Sequence, residues 1–210
     1  MKNRFGIGYY NLANFVTLSG LMLAVLACFM VASGNLFLTV LFLSLAALCD
    51  AMDGRIARAN PSATKRSRFY GVQLDSLCDM VSFGAAPCFI AYQMGYNGVI
   101  DIILYLLFVF CGATRLANFN TEAAVDSADM KLSHFTGIPI PFSAMLLPLL
   151  IIVHMLAGPV HWLFPLAFFV VGAGYIIRIR IPKPSGKAQL FMGVYMLATL
   201  IAVLVIQLVK

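Results

Sequence analysis

Long apolar runs, interrupted by a few short polar turns, set the pattern of this chain. Residues 5–49 contain no Lys, Arg, Asp or Glu. A run of that length exceeds a single bilayer crossing of about 20 residues. Ser33-Gly34-Asn35 divides it into two predicted helices, near 12–32 and 36–57. A third helix is predicted over 72–94, closed by the turn Gly95-Tyr96-Asn97-Gly98, and a fourth over 99–118. Residues 132–177 carry no formal charge apart from histidine, and Gly158-Pro159 splits them into helices near 138–157 and 160–177. The last helix covers 188–209. The expected fold is an all-α polytopic membrane protein, a bundle of six to eight transmembrane helices with seven counted, in one domain over 1–210. No internal repeat, linker or low-complexity segment divides it.

Composition agrees with a lipid solvent. The 210 residues are 62% hydrophobic and 10% charged, where a soluble domain carries about a quarter charged residues. No cleavable signal peptide is expected, because the first apolar run is long and no small-residue cleavage site closes it. Basic residues then suggest an orientation, since they accumulate in cytoplasmic loops. With the N-terminus inside, the internal segments hold Lys2 and Arg4, then Arg55, Arg58, Lys65, Arg66 and Arg68, then Arg115 and Lys131, then Arg178, Arg180, Lys183 and Lys187. Thirteen of the fourteen Lys and Arg residues sort to that side, and only Lys210 falls outside. The net charge of +6 is mainly this topological bias, and no nucleic-acid partner is expected, because no basic soluble domain exists to bind one. The five cysteines lie in apolar runs without metal-ligand spacing and read as small buried hydrophobes. His154 and His161 flank the outer turn beside Trp162 and read as interfacial residues.

The acidic residues carry the candidate chemistry. Four of only eight, Asp50, Asp53, Asp75 and Asp79, fall between positions 50 and 79, at the cytoplasmic ends of the second and third spans. Asp50 and Asp53 are three apart, and Asp75 and Asp79 four apart, so each pair shares a helix face. The loop between them reverses the chain, so both faces can converge at one depth. Ionisable residues in apolar helices are costly and mark function. Four converging carboxylates repel one another unless a cation joins them. Mg²⁺ and Mn²⁺ prefer oxygen ligands, and two such ions could share four carboxylates to clamp phosphoryl oxygens. The alternative is that some acids pair with Arg55, Arg58 or Arg68. Gly54 removes a side chain beside the acids, which lets a bulky ligand approach the backbone. Arg58 lies four residues on, on the same face, and its guanidinium can grip phosphate oxygens in bidentate fashion. Carboxylates, Gly and Arg together suggest a pyrophosphate cradle.

The stretch Asp50-Ala51-Met52-Asp53-Gly54-Arg55-Ile56-Ala57-Arg58 followed by Gly71-Val72-Gln73-Leu74-Asp75-Ser76-Leu77-Cys78-Asp79 resembles the motif of the CDP-alcohol phosphatidyltransferase family, D-x-x-D-G-x-x-A-R then G-x-x-x-D-x-x-x-D. All eight fixed positions match. The resemblance implies that Asp50, Asp53, Asp75 and Asp79 bind the divalent metals and that Asp79 is also the general base. It implies that Gly54 and Arg58 hold the CDP part of the lipid. Twelve residues separate Arg58 from Gly71 here, more than in many members, so Thr64 and Ser67 are both candidates for the loop contact to that ligand. Asn14-Phe15-Val16-Thr17-Leu18 is similar to the family's N-terminal Asn-x-x-Thr stretch near the nucleotide. Asn14 and Thr17 are equally compatible with helix caps at the first span.

Three further segments are similar to the phosphatidylserine synthase branch. They are Asp79-Met80-Val81-Ser82-Phe83-Gly84-Ala85-Ala86-Pro87, Arg115-Leu116-Ala117-Asn118-Phe119-Asn120 and Phe135-Thr136-Gly137-Ile138-Pro139-Ile140-Pro141. Asn118 stands where that branch usually has a second Arg, which leaves Arg115 as the candidate for the acceptor's carboxylate, with Ser82 and Lys131 as further acceptor contacts. The resemblance thus implies transfer of a phosphatidyl group from CDP-diacylglycerol to L-serine, in a homodimer of the prokaryotic plasma membrane whose active site faces the cytoplasm. Family cores commonly have six helices, so a seventh would be an addition. Two alternatives differ at the acceptor or the lipid: glycerol 3-phosphate or an inositol phosphate, and an archaeal-type lipid donor. The loop after the fourth span is not strongly basic, which favours a zwitterionic acceptor over a phosphorylated one. An ion-coupled transporter would instead place its acids near the midplane on broken helices.

Overall fold

The computed structural model describes residues 8–125, 134–136, 138, 140–178, 180–182 and 186–209. The first helix, α1 (Leu12–Ala32), opens on Asn11, whose side chain accepts the Asn14 N–H at 2.9 Å, a standard N-cap. Gly34, at φ +79°, reverses the chain, a backbone region open to glycine without strain. Asn35 then caps α2 (Leu36–Ala59) by accepting the Leu38 N–H. Thr64 caps the next rod in the same way, accepting from the Ser67 N–H. This rod runs from Lys65 to Gln93 in three pieces: α3 (Lys65–Asp79), a π-helical turn (Met80–Ala85) and α4 (Ala86–Gln93). Four helices follow: α5 (Val99–Val125), α6 (Phe142–Ala157), α7 (Leu163–Ile176) and α8 (Gly186–Val209).

Counted as rods, the described residues give the seven helices expected. Five are long and apolar enough to cross a membrane, while α6 and α7 are apolar but shorter. Some boundaries differ, for physical reasons. The third rod starts at Lys65 and not near 72, because Lys65-Arg66-Ser67-Arg68 continue the helix beyond the apolar run; hydropathy marks where a helix meets lipid, not where it begins. Likewise α5 runs on to Val125, about 40 Å at 1.5 Å per residue, against a hydrocarbon core of about 30 Å. Glu122 therefore sits on the same helix as Arg115 and Asn118, where the sequence pattern suggests a loop after residue 118. In the other direction, α6 begins only after Pro141. The α5–α6 and α7–α8 connections are joined by two short strands, β1 (His134–Thr136) and β2 (Arg180–Pro182), paired antiparallel with Phe135 opposite Ile181.

Helix association in lipid depends on close packing at small residues. Along α1 and α2 the buried positions include Ala24, Ala27, Ala46 and Ala47. Gly20 of α1 lies so close to α2 that a Cβ there would stand 3.1 Å from Cys49 Cβ. On the other side of the bundle α5 packs on α7, where a Cβ at Gly172 would stand 3.4 Å from Phe108 Cα. The connections after α2, α5 and α7 share one face. At the opposite face Tyr96 is buried, stacks on Phe164 at 4.0 Å and hydrogen-bonds His154 Nδ1 at 2.9 Å. These contacts agree with a structural role for His154.

Candidate active site

Asp50 and Asp53 lie one turn apart near the end of α2, and Asp75 and Asp79 one turn apart at the end of α3. The helix pair brings them together. One carboxylate oxygen each of Asp50, Asp75 and Asp79 can lie within 4.8 Å of the others. Asp50 meets Asp79, and Asp53 meets Asp75, at hydrogen-bonding range. Asp53 and Asp79 are buried, Asp50 and Asp75 half-buried. The fourth carboxylate is tied to α1, where the Thr17 hydroxyl donates to Asp53 Oδ2. A cleft of about 200 Å³ opens between α1, α2, α3 and the π turn, with all four aspartates, Thr17 and Ser82 on its walls.

Such a donor set fits a hard divalent cation: the three converging ligands are all oxygen, and such ions take oxygen ligands. The competing explanation, neutralisation by neighbouring arginines, is weakened by Arg55 and Arg68, which are exposed. Arg58 is exposed as well, but its guanidinium folds back over Gly54. A Cβ at Gly54 would stand 3.3 Å from Arg58 Nη1. The backbone notch and the cation thus occupy one spot at the edge of the acidic cluster, as a phosphate cradle requires.

Residues 10–209 match the family model described as CDP-alcohol phosphatidyltransferase. The chain belongs to the CDP-alcohol phosphatidyltransferase family. Divalent-metal dependence is general among CDP-alcohol phosphatidyltransferases. The chain is 32% identical to the CDP-diacylglycerol–serine O-phosphatidyltransferase of Helicobacter pylori, over 92% of this chain and 82% of the relative. It is 30% identical to the enzyme of that name from Bacillus subtilis, over 82% and 89% of the two chains. An archaetidylserine synthase of Methanothermobacter thermautotrophicus is 34% identical over 53% of this chain and 45% of its own.

The other expected residues of this CDP-alcohol phosphatidyltransferase fall at different places. Thr17 is not a cap; it lies in the cleft against Asp53. Asn14 is not the cap either, since Asn11 takes that role. Asn14 donates to the Tyr9 carbonyl at 2.6 Å, and a Cβ at Gly71 would stand 3.4 Å from its Oδ1. Thr64 and Ser67 sit at the first turn of α3, two turns or more from Asp75. Arg115 is half-buried on α5, and its Nε is buried without a hydrogen-bond partner. Ser82 Oγ, in the cleft wall, is also buried without a partner. Arg115 lies within electrostatic reach of Asp79 and Tyr175. Asn118 points elsewhere, exposed and donating to Glu122 at 2.8 Å. Lys131 lies outside the described residues. Sequence reasoning missed Gly20 and Cys78, which line the cleft, and Tyr175, which approaches Arg115. Cys78 could have been found from its place beside Asp79; nothing in the local sequence marks Tyr175.

Proposed function

We propose that this protein transfers a phosphatidyl group from CDP-diacylglycerol to the hydroxyl of L-serine, yielding phosphatidylserine and CMP. The observation that carries the proposal is the joining of two half-sites. Four carboxylates with Gly54 and Arg58 form a diphosphate site. On the same side of the molecule as Asp79, two buried polar groups, Arg115 Nε and Ser82 Oγ, have no hydrogen-bond partner among the described residues. Buried polar groups without partners are rare and call for an explanation; a small zwitterionic acceptor supplies one. The names of the Helicobacter and Bacillus relatives support the same acceptor.

Asp50, Asp53, Asp75 and Asp79 would hold divalent cations, Mg²⁺ or Mn²⁺, two in number, which when bound neutralise the diphosphate and stabilise the departing CMP. Arg58 grips a phosphate oxygen through its fork of N–H donors, with Thr64 or Ser67 and the Asn14–Thr17 face of α1 completing the nucleotide side. Arg115 receives the serine carboxylate, and Ser82 and Lys131 are further acceptor contacts. Asp79 takes the proton of the serine hydroxyl. The serine oxygen bonds to the phosphorus that carries diacylglycerol, and the bond from that phosphorus to CMP breaks. The acyl chains stay in lipid while cytidine and serine enter from water, which accounts for a site at helix ends. The sorting of Lys and Arg supports a cytoplasmic site with the N-terminus inside, and family membership supports a homodimer.

The test is CMP release by purified protein with CDP-diacylglycerol and a panel of acceptors, with and without a chelator. Release that requires both a divalent cation and serine is expected. Release driven by glycerol 3-phosphate or an inositol phosphate, and not by serine, would overturn the acceptor. Turnover with an archaeal-type CDP-lipid only would overturn the donor.

A further inference from the structure

Pro87 removes a hydrogen-bond donor from the middle of the third rod. Proline has no N–H, so the junction of the π turn and α4 is one backbone donor short. Another element supplies one. Ser143, in the first turn of α6, donates from Oγ to the Phe83 carbonyl at 2.7 Å. The same Oγ lies 3.2 Å from the Ile140 carbonyl, which accepts the Tyr175 hydroxyl of α7 at 3.1 Å. Ser143, Tyr175 and Ile140 are buried, at 4%, 2% and 0% exposure. Two helices, α6 directly and α7 through the Ile140 carbonyl, are thus tied by hydroxyl groups to one point of the rod.

That point is the π turn Met80–Ala85, which follows Asp79 directly and carries Ser82. A π turn inside an α-helix is uncommon and frequently marks a functional site. Tyr175 also lies within electrostatic reach of both Arg115 and Asp79. Neither Ser143 nor Tyr175 is among the residues that line the acidic cleft. We propose that Ser143 and Tyr175 are positioning residues: their hydroxyls brace the π turn at the Phe83 carbonyl, and so fix where Asp79 and Ser82 stand relative to Arg115. This rests on the acceptor half-site described above. The α2 part of the diphosphate site, Asp50, Asp53, Gly54 and Arg58, is not held by the brace; Asp79 is the ligand the two half-sites share.

The brace therefore predicts a split between the two substrates. CMP release would be measured for Ser143→Ala, Ser143→Thr and Tyr175→Phe, varying serine and CDP-diacylglycerol separately. Loss of one buried hydrogen bond that orients a reacting group is expected to raise the serine KM about fivefold and lower kcat about tenfold in Ser143→Ala. The KM for CDP-diacylglycerol should change clearly less than the serine KM, because only Asp79 of the diphosphate site is held by the brace. Ser143→Thr keeps the hydroxyl and should recover most of the loss, and Tyr175→Phe should show the same split at smaller size. Wild-type constants in Ser143→Ala, or equal changes in both KM values, would overturn the brace. So would a fall in kcat alone that tracks the amount of folded protein. Should Ser143→Ala not accumulate in the membrane, Tyr175→Phe, which removes a single oxygen, decides by the same criteria. If the wild type proves indifferent to serine, the acceptor assignment has failed, and the split is then read with whichever acceptor the wild type uses.

Discussion

Asp79 is the residue in which the proposed chemistry concentrates, as a metal ligand and as the group that receives the hydroxyl proton. Asp79→Asn keeps the size of the side chain and removes the basic oxygen. Its packing at the end of α3 is retained, so the protein is expected to accumulate and fold. CMP release should fall by about 10²–10⁴-fold, the usual contribution of a positioned base. Near-normal release would remove Asp79 from that role. Arg58 separates from it cleanly, because its guanidinium lies over Gly54, on the proposed diphosphate side. Arg58→Ala should raise the KM for CDP-diacylglycerol about tenfold or more, the effect of losing a charge-assisted hydrogen bond. Arg58→Lys should recover only part, since an ammonium lacks the planar fork. An unchanged KM for the CDP-lipid in Arg58→Ala would refute the cradle.

At the scale of elements, the site exists because α1 lies hard against α2. Gly20 sits one turn beyond Thr17 at that crossing. A Cβ there would stand 3.1 Å from Cys49 Cβ and 3.3 Å from the Ala46 carbonyl oxygen, and a backbone atom cannot be moved by a side-chain rotation. Gly20→Val should therefore push α1 away and break the Thr17–Asp53 contact. The expected result is a lower Tm in detergent, consistent with an overpacking cost of about 1–3 kcal/mol, together with loss of CMP release. A variant with wild-type Tm and wild-type activity would show that the crossing is not so tight. This is also the scale at which the sequence was least informative. Charge-free runs and glycine turns located the helices, and the spacing of the aspartates located the acidic cluster, because both are local patterns. The early start of α3 and the extension of α5 to Val125 were not legible, since hydropathy records lipid contact alone. Ser143, Tyr175 and the orphaned Arg115 Nε became visible only when three helices far apart in sequence were packed together.

At the scale of the whole molecule, one face carries the acid cluster with Arg55, Arg58 and Arg68 at the ends of α2 and α3, and the other carries the aromatic turn around Tyr96. This asymmetry matters for supply: the reaction needs serine and a CDP-lipid headgroup on the same side, and both are delivered where the site opens. Ser62, in the connection after α2, and Asn97, in the turn before α5, are exposed at opposite faces. They are convenient reporters once converted singly to cysteine. Cys28, Cys49 and Cys111 are half-buried in the bundle and Cys78 and Cys88 are buried, so a membrane-impermeant maleimide should reach all five slowly compared with either loop position. In intact cells Asn97→Cys should be labelled, and Ser62→Cys only after the membrane is opened. Those reporters lie outside the cleft, so each labelled variant can also be assayed for CMP release to show that the folded enzyme was probed. The reverse labelling pattern would invert the orientation that thirteen of fourteen basic residues favour, and would place the acidic cleft, with its need for cytoplasmic serine, on the wrong side of the membrane for the proposed reaction.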